Sequence, residues 1–171
     1  MEALKVAIAD DNENMLKVLG QVIGQEQDLS VVGTATNGED TFHIIKEKEP
    51  DVVLLDIIMP QIDGLTVMEK VHKDKEIRKT PAFIIISAIG RDSVTEDAFN
   101  MGASYYIMKP FDNDMLINRI RYIRNVHAEI RKQEQHRRWN IRWSVTGIWK
   151  VILQTSYMTL VFLRILKGIS I

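Results

Sequence analysis

The stretch VVLLDIIMPQIDG (52–64) places a carboxylate, Asp56, directly behind four apolar residues and follows it with Pro60. Val52 to Leu55 is apolar at successive positions, the pattern of a strand covered on both faces. A carboxylate at the end of such a strand is costly unless a partner offsets its charge. The stretch therefore predicts a central parallel strand whose exit carries a carboxylate with a task.

Working outward, strand-like runs occur at Leu4–Ala9, Val31–Thr36, Val52–Asp56, Phe83–Ser87 and Ser104–Met108. Segments of helical spacing separate them. Met15, Leu16, Leu19, Val22 and Ile23 mark the first, and Phe42, Ile44 and Ile45 the second. Leu65, Val67, Met68 and Val71 mark the third, Val94, Ala98 and Met101 the fourth, and Met115, Leu116, Ile120 and Ile123 the fifth. Asn37 and Asp112 are predicted N-caps, and Gly102 a helix stop. Five strands alternating with five helices predict an α/β fold, a doubly wound parallel sheet covered on both faces with right-handed crossovers.

In that frame Asp10 and Asp11 follow the first strand, Asp56 ends the third, Ser87 ends the fourth, and Lys109 follows the fifth. All lie at carboxyl ends of strands, the edge where open α/β sheets bind ligands. Three carboxylates gathered there repel one another, and a hard divalent cation such as Mg2+ removes the conflict with oxygen ligands. An ionised Asp56 is then a nucleophile for a phosphoryl group, with Lys109 and the Ser87 hydroxyl facing the phosphoryl oxygens. Plainer readings exist: Asp10–Asp11 as the N-cap of the first helix, Tyr106 as a core residue. The four histidines have no metal-ligand spacing.

The set Asp10-Asp11, Asp56 with Met59-Pro60 and Asp63-Gly64, Ser87-Ala88, and Lys109-Pro110-Phe111 resembles the response-regulator receiver domain over residues 3–126. The resemblance implies a flavodoxin-like strand order 2-1-3-4-5 and Asp56 as phosphoacceptor (4-aspartylphosphate). It implies Mg2+ held by Asp11, Asp56 and the Ile58 carbonyl, with Asp10 acting mostly through water. It also implies Ser87 and Tyr106 as the switch pair, the tyrosine turning inward on activation. ADDN, LDIIMPQIDGL and MGASYYIMKPFD further resemble receivers of the sporulation-initiation response regulators of spore-forming bacteria, the stage 0 sporulation A family. The implied partners are a sensor histidine kinase or phosphotransferase as donor, a second copy on phosphorylation, and DNA only through a C-terminal effector domain that is expected to be missing from this chain. Sporulation-gene transcription is the implied output, and the implied role is that of a signalling domain, not an enzyme. The rival readings are a stand-alone receiver that shuttles phosphoryl groups or switches protein contacts without DNA, and a phosphohydrolase with an aspartyl-phosphate intermediate. Against the latter, Asp10-Asp11 lacks the second spaced aspartate such enzymes use.

The chain has 171 residues, 46% hydrophobic and 26% charged, and no cysteine. That composition predicts a globular protein without disulfides or thiolate zinc sites. MEALKVAIADD has no basic segment before an apolar core, so the expected location is cytoplasmic, with no membrane partner. Charge is uneven: residues 1–138 hold 18 basic and 23 acidic side chains, whereas residues 139–171 hold Arg142, Lys150, Arg164, Lys167 and no acid. Residues 127–138 are predicted as a polar helix extension and linker, and residues 139–171 as a tail without an independent domain. Val151–Leu166 is too short to span a membrane, and the scattered tryptophans and cations make a weak case for a nucleic-acid or membrane-surface segment. We read the tail instead as an out-of-frame translation. LQTSYMTLVFLRILKG (153–168), taken from the third base of each codon, admits the solution TNIIHDIGVPAHIKG, which resembles the start of the sporulation regulators' effector domain.

Overall fold

The computed structural model describes residues 3–123, 125 and 126. The readings of the linker (127–138) and of the tail (139–171) lie outside the described residues. The element order is β1 (Leu4–Ala9), α1 (Glu13–Gly24), β2 (Leu29–Ala35), α2 (Gly38–Lys48), β3 (Val52–Leu55), α3 (Gly64–Lys73), β4 (Ala82–Ser87), α4 (Asp92–Asn100) and β5 (Ala103–Met108). A fifth helix, α5, covers 113–123. The five strands are parallel in the order β2-β1-β3-β4-β5, as expected.

Each central strand divides its side chains between two cores because successive residues point to opposite faces. Val6 and Ile8, Val52 and Leu54, and Ile84 and Ile86 pack with Leu19 and Ile23 of α1 and with Leu116, Ile117, Ile120 and Ile123 of α5. Ala7 and Ala9, Val53 and Leu55, and Phe83 and Ile85 pack with Ile45, Val67, Met68, Val71 and Ala98 of α2, α3 and α4. This two-sided burial is the reason those runs carry no polar alternation.

Caps place the helices. Asn37 accepts the Asp40 N–H at 2.8 Å, and Asp112 accepts the Met115 N–H at 2.9 Å, so both predicted N-caps hold. The cap of α1 is Asn12, not the Asp10–Asp11 pair: its Oδ1 accepts from Asn14 at 3.0 Å and Met15 at 3.4 Å. The two aspartates are thereby left to other work. Gly102 takes φ 95 directly after α4, a left-handed conformation that favours glycine. Two expectations need correction. β2 begins at Leu29 rather than Val31, because Leu29 and Ser30 already pair with Leu4 and Lys5. Met101, read as one of the marks of the fourth helix, lies past the end of α4 and is 36% exposed.

Candidate functional site

β1 and β3 are neighbours, and the chain leaves them toward opposite sides of the sheet order, so a crevice opens at their carboxyl ends. Asp10 is the first residue beyond β1. Its N–H bonds the Ala35 carbonyl at 3.1 Å, and its Oδ1 accepts the Asn12 N–H at 2.9 Å. Asp56 is the first residue beyond β3. Its N–H bonds the Ala9 carbonyl at 2.8 Å, and its Oδ1 accepts the Ile58 N–H at 3.2 Å. Both residues are buried, at 2% and 6% exposure, whereas Asp11 faces solvent. One oxygen each from Asp10, Asp11 and Asp56 lies within 4.8 Å of the others.

Lys109 is the group that offsets the Asp56 charge. It follows β5, two strands away from β3, and its N–H bonds the Ser87 carbonyl at 2.9 Å. Its Nζ donates to Asp10 Oδ2 and to Asp56 Oδ2, each at 2.6 Å. These are short, charge-assisted bonds. Burial works against the Lys109 charge, but the bonds to Asp10 and Asp56 and the charges behind them outweigh it, and its pKa lies above the ordinary 10.5. Sequence reasoning had aimed this ammonium at phosphoryl oxygens; in the structure it spans two carboxylates. Three formal negative charges against one positive leave the cluster at −2, with oxygen donors only and one exposed member as an entrance. That donor chemistry fits a hard divalent cation.

The loop after Asp56 is held at both ends by close backbone approaches. A Cβ on Gly64 would fall on the Asp56 carbonyl oxygen, and one on Gly38 would fall on the Ile62 carbonyl oxygen. The Gly64 N–H bonds the Ile57 carbonyl at 2.9 Å, and Asp63 caps α3 through the Thr66 N–H at 2.7 Å. Between them Gln61 takes φ 68, a strained conformation for a residue with a side chain. The Ile58 side chain is 56% exposed beside Asp56.

Ser87 is fully buried at the end of β4, and its Oγ accepts the Ile89 N–H at 3.3 Å. Tyr106 is half-buried against the second core and donates its hydroxyl to the Ile89 carbonyl at 2.6 Å. The two expected switch residues thus meet at Ile89, which sequence reasoning did not single out. No side-chain signal could have found it, since it acts through its backbone.

The carboxylate trio, the bridging lysine and the buried serine coincide with a family-model match over residues 6–121, to the response regulator receiver domain. The chain belongs to this family. It is the receiver of a two-component response regulator, a signalling domain. A chain of the CheX–CheY–BeF3–Mg2+ complex from Borrelia burgdorferi is 30% identical, with 71% of this chain and 90% of that chain covered and a TM-score of 0.65. A DNA-binding response regulator of the LuxR family from Staphylococcus aureus is 28% identical, covering 70% and 98%, with a TM-score of 0.65. The response regulator domain of Thermotoga maritima CheB is 27% identical, covering 72% and 98%, with a TM-score of 0.65. Among the described residues of this receiver, no helix is long and apolar enough to cross a membrane.

Proposed function

We propose that this receiver accepts a phosphoryl group on Asp56 from a sensor histidine kinase or phosphotransferase. The observation that carries the reading is the Lys109 ammonium bridging Asp10 and Asp56 beside Asp11. In the transfer, an Asp56 carboxylate oxygen forms a bond to phosphorus while the donor's bond to phosphorus breaks and its electron pair leaves with the donor. Lys109 orients the Asp56 carboxylate through its 2.6 Å bond and turns to the phosphoryl oxygens once they arrive. The Ser87 hydroxyl is the group that follows the phosphoryl group, drawing Ile89 and the Tyr106 contact with it. Asp10, Asp11, Asp56 and the Ile58 carbonyl would hold Mg2+, which when bound neutralises charge on the transferring group. The match to a chain from a complex containing BeF3 and Mg2+ supports Mg2+ as the cation. The domain assists only its own phosphorylation and dephosphorylation.

The output we propose is control of sporulation-gene transcription in the cytoplasm, with dimerisation on phosphorylation, DNA being reached only through an in-frame C-terminal effector domain. Its support is the resemblance of LDIIMPQIDGL and MGASYYIMKPFD to the stage 0 sporulation A receivers, together with the likeness to a DNA-binding response regulator. A second reading, a stand-alone receiver without a DNA target, is favoured by the match to nearly the whole length of a chain from the CheX–CheY complex. The test of the site is incubation of the 171-residue protein with Mg2+ and acetyl phosphate, followed by intact mass. One phosphoryl group is expected on the wild type and none on Asp56→Asn. Incorporation that survives the substitution at another residue sinks the assignment. DNA binding with a beryllofluoride mimic present, weakening steeply with salt, supports the transcriptional output, and its absence supports either the stand-alone reading or a regulator broken by its out-of-frame tail.

A further inference from the structure

β5 reaches the β4–α4 loop (88–91) with two side chains, not one. Tyr106 and Met108 are two residues apart on a strand and so lie on the same face. Tyr106 bonds the Ile89 carbonyl at 2.6 Å. Met108 pairs in register with Ser87, and its Cε lies where it would stand 2.8 Å from a Cβ placed on Gly90. The methyl end of Met108 thus rests on the bare backbone of Gly90, one residue beyond the tyrosine's contact. An unbranched thioether suits such a seat, being long and adaptable. Gly90 does not have a left-handed φ, so it is the missing side chain, not conformational freedom, that lets the half-exposed Met108 rest its methyl end there.

We propose that Met108 is a positioning residue for the phosphorylation switch, a second latch that holds the 88–91 loop, and with it the Ser87 hydroxyl, in the arrangement where Tyr106 is turned inward. The proposal rests on the reading of Ser87 and Tyr106 as the responding pair. A loop held by both latches occupies the ligand-ready arrangement for a larger fraction of the time. Apparent affinity for a phosphoryl mimic scales with that fraction. Losing the apolar latch therefore weakens mimic binding without touching any group that contacts it.

The experiment is a double-mutant cycle on the full chain with Met108→Ala and Gly90→Ala. Hydrogen exchange over residues 88–91 is measured on unmodified protein, and beryllofluoride affinity is measured with Mg2+. Met108→Ala is expected to speed exchange in the loop and to raise the apparent Kd about threefold to tenfold, with the core strands unchanged. Gly90→Ala displaces the Met108 methyl and produces a similar loss when Met108 is present, but little or none when residue 108 is already alanine. An equal effect of Gly90→Ala in both backgrounds, or unchanged loop exchange in Met108→Ala, overturns the latch. A global loss of protection in the cycle would likewise overturn it, by showing a general packing role. Failure of the phosphoacceptor reading appears separately, as absence of mimic binding in the wild type, and leaves the exchange result intact.

Discussion

Replacing Lys109 by methionine keeps the length and apolar stem of the side chain and deletes its charge. Two limits bracket the cost. Exposed ion pairs contribute about 0–1 kcal/mol, whereas breaking a buried pair costs about 3–5 kcal/mol because the surviving charge is left uncompensated. The side chains of Lys109, Asp10 and Asp56 are 19%, 2% and 8% exposed, so the buried limit governs the two carboxylates. Asp11 is exposed and adds a screened charge, not a compensating one. A loss of about 3 kcal/mol is therefore expected near neutral pH in the presence of a chelator. The assay is urea unfolding of wild type and Lys109→Met followed by circular dichroism, with and without excess Mg2+. Added Mg2+ should stabilise the variant more than the wild type, because it meets a cluster with one more unbalanced charge. A loss below about 1 kcal/mol in chelator would refute the reasoning, since it would mean that Asp10 and Asp56 are solvated rather than held by the ammonium.

Three further outcomes follow from other contacts. Gly64→Ala sets a methyl group against the Asp56 carbonyl oxygen; it should cost about 1–3 kcal/mol and slow acetyl-phosphate labelling of Asp56, as read by intact mass. Asp51, at the opposite end of β3, is opposed by burial, but the Lys79 ammonium and the Lys5 N–H overcome this and hold its pKa below the ordinary 3.8. A depressed carboxylate stabilises above its unfolded pKa and loses that share as pH falls through the folded value. The gap between wild type and Asp51→Asn should thus be constant above about pH 4 and shrink below it in acid titrations of unfolding. Phe83, fully buried in the α2–α3–α4 core, should cost about 3–5 kcal/mol on change to alanine, measured as a shift in urea midpoint.

The legibility of this protein was uneven for a physical reason. Val52–Leu55 and the run ending at Ser87 were readable because a strand buried on both faces admits apolar residues at every position. Asn37 and Asp112 were readable because capping is local, settled within three residues. The cap of α1 was misplaced for the same locality: three polar residues in a row, Asp10, Asp11 and Asn12, could each serve, and only the backbone turn selects Asn12. Met101 was misread because helical spacing continues past the point where α4 stops.

What the sequence determined by itself is the order of elements, the two-sided core and the place of each reactive side chain at a strand end, since these follow from local patterning. Only the tertiary structure decided which partner each one meets. Lys109 and Asp56 are separated by 53 positions, and no periodicity states that the lysine would reach across to both Asp56 and Asp10. Ile89 and Gly90 were invisible because backbone atoms do the work there, and backbone atoms are the same in every residue. The buried carboxylate of VVLLDIIMPQIDG is tolerated because parallel pairing brings β5's lysine to it, a fact of the sheet rather than of the stretch.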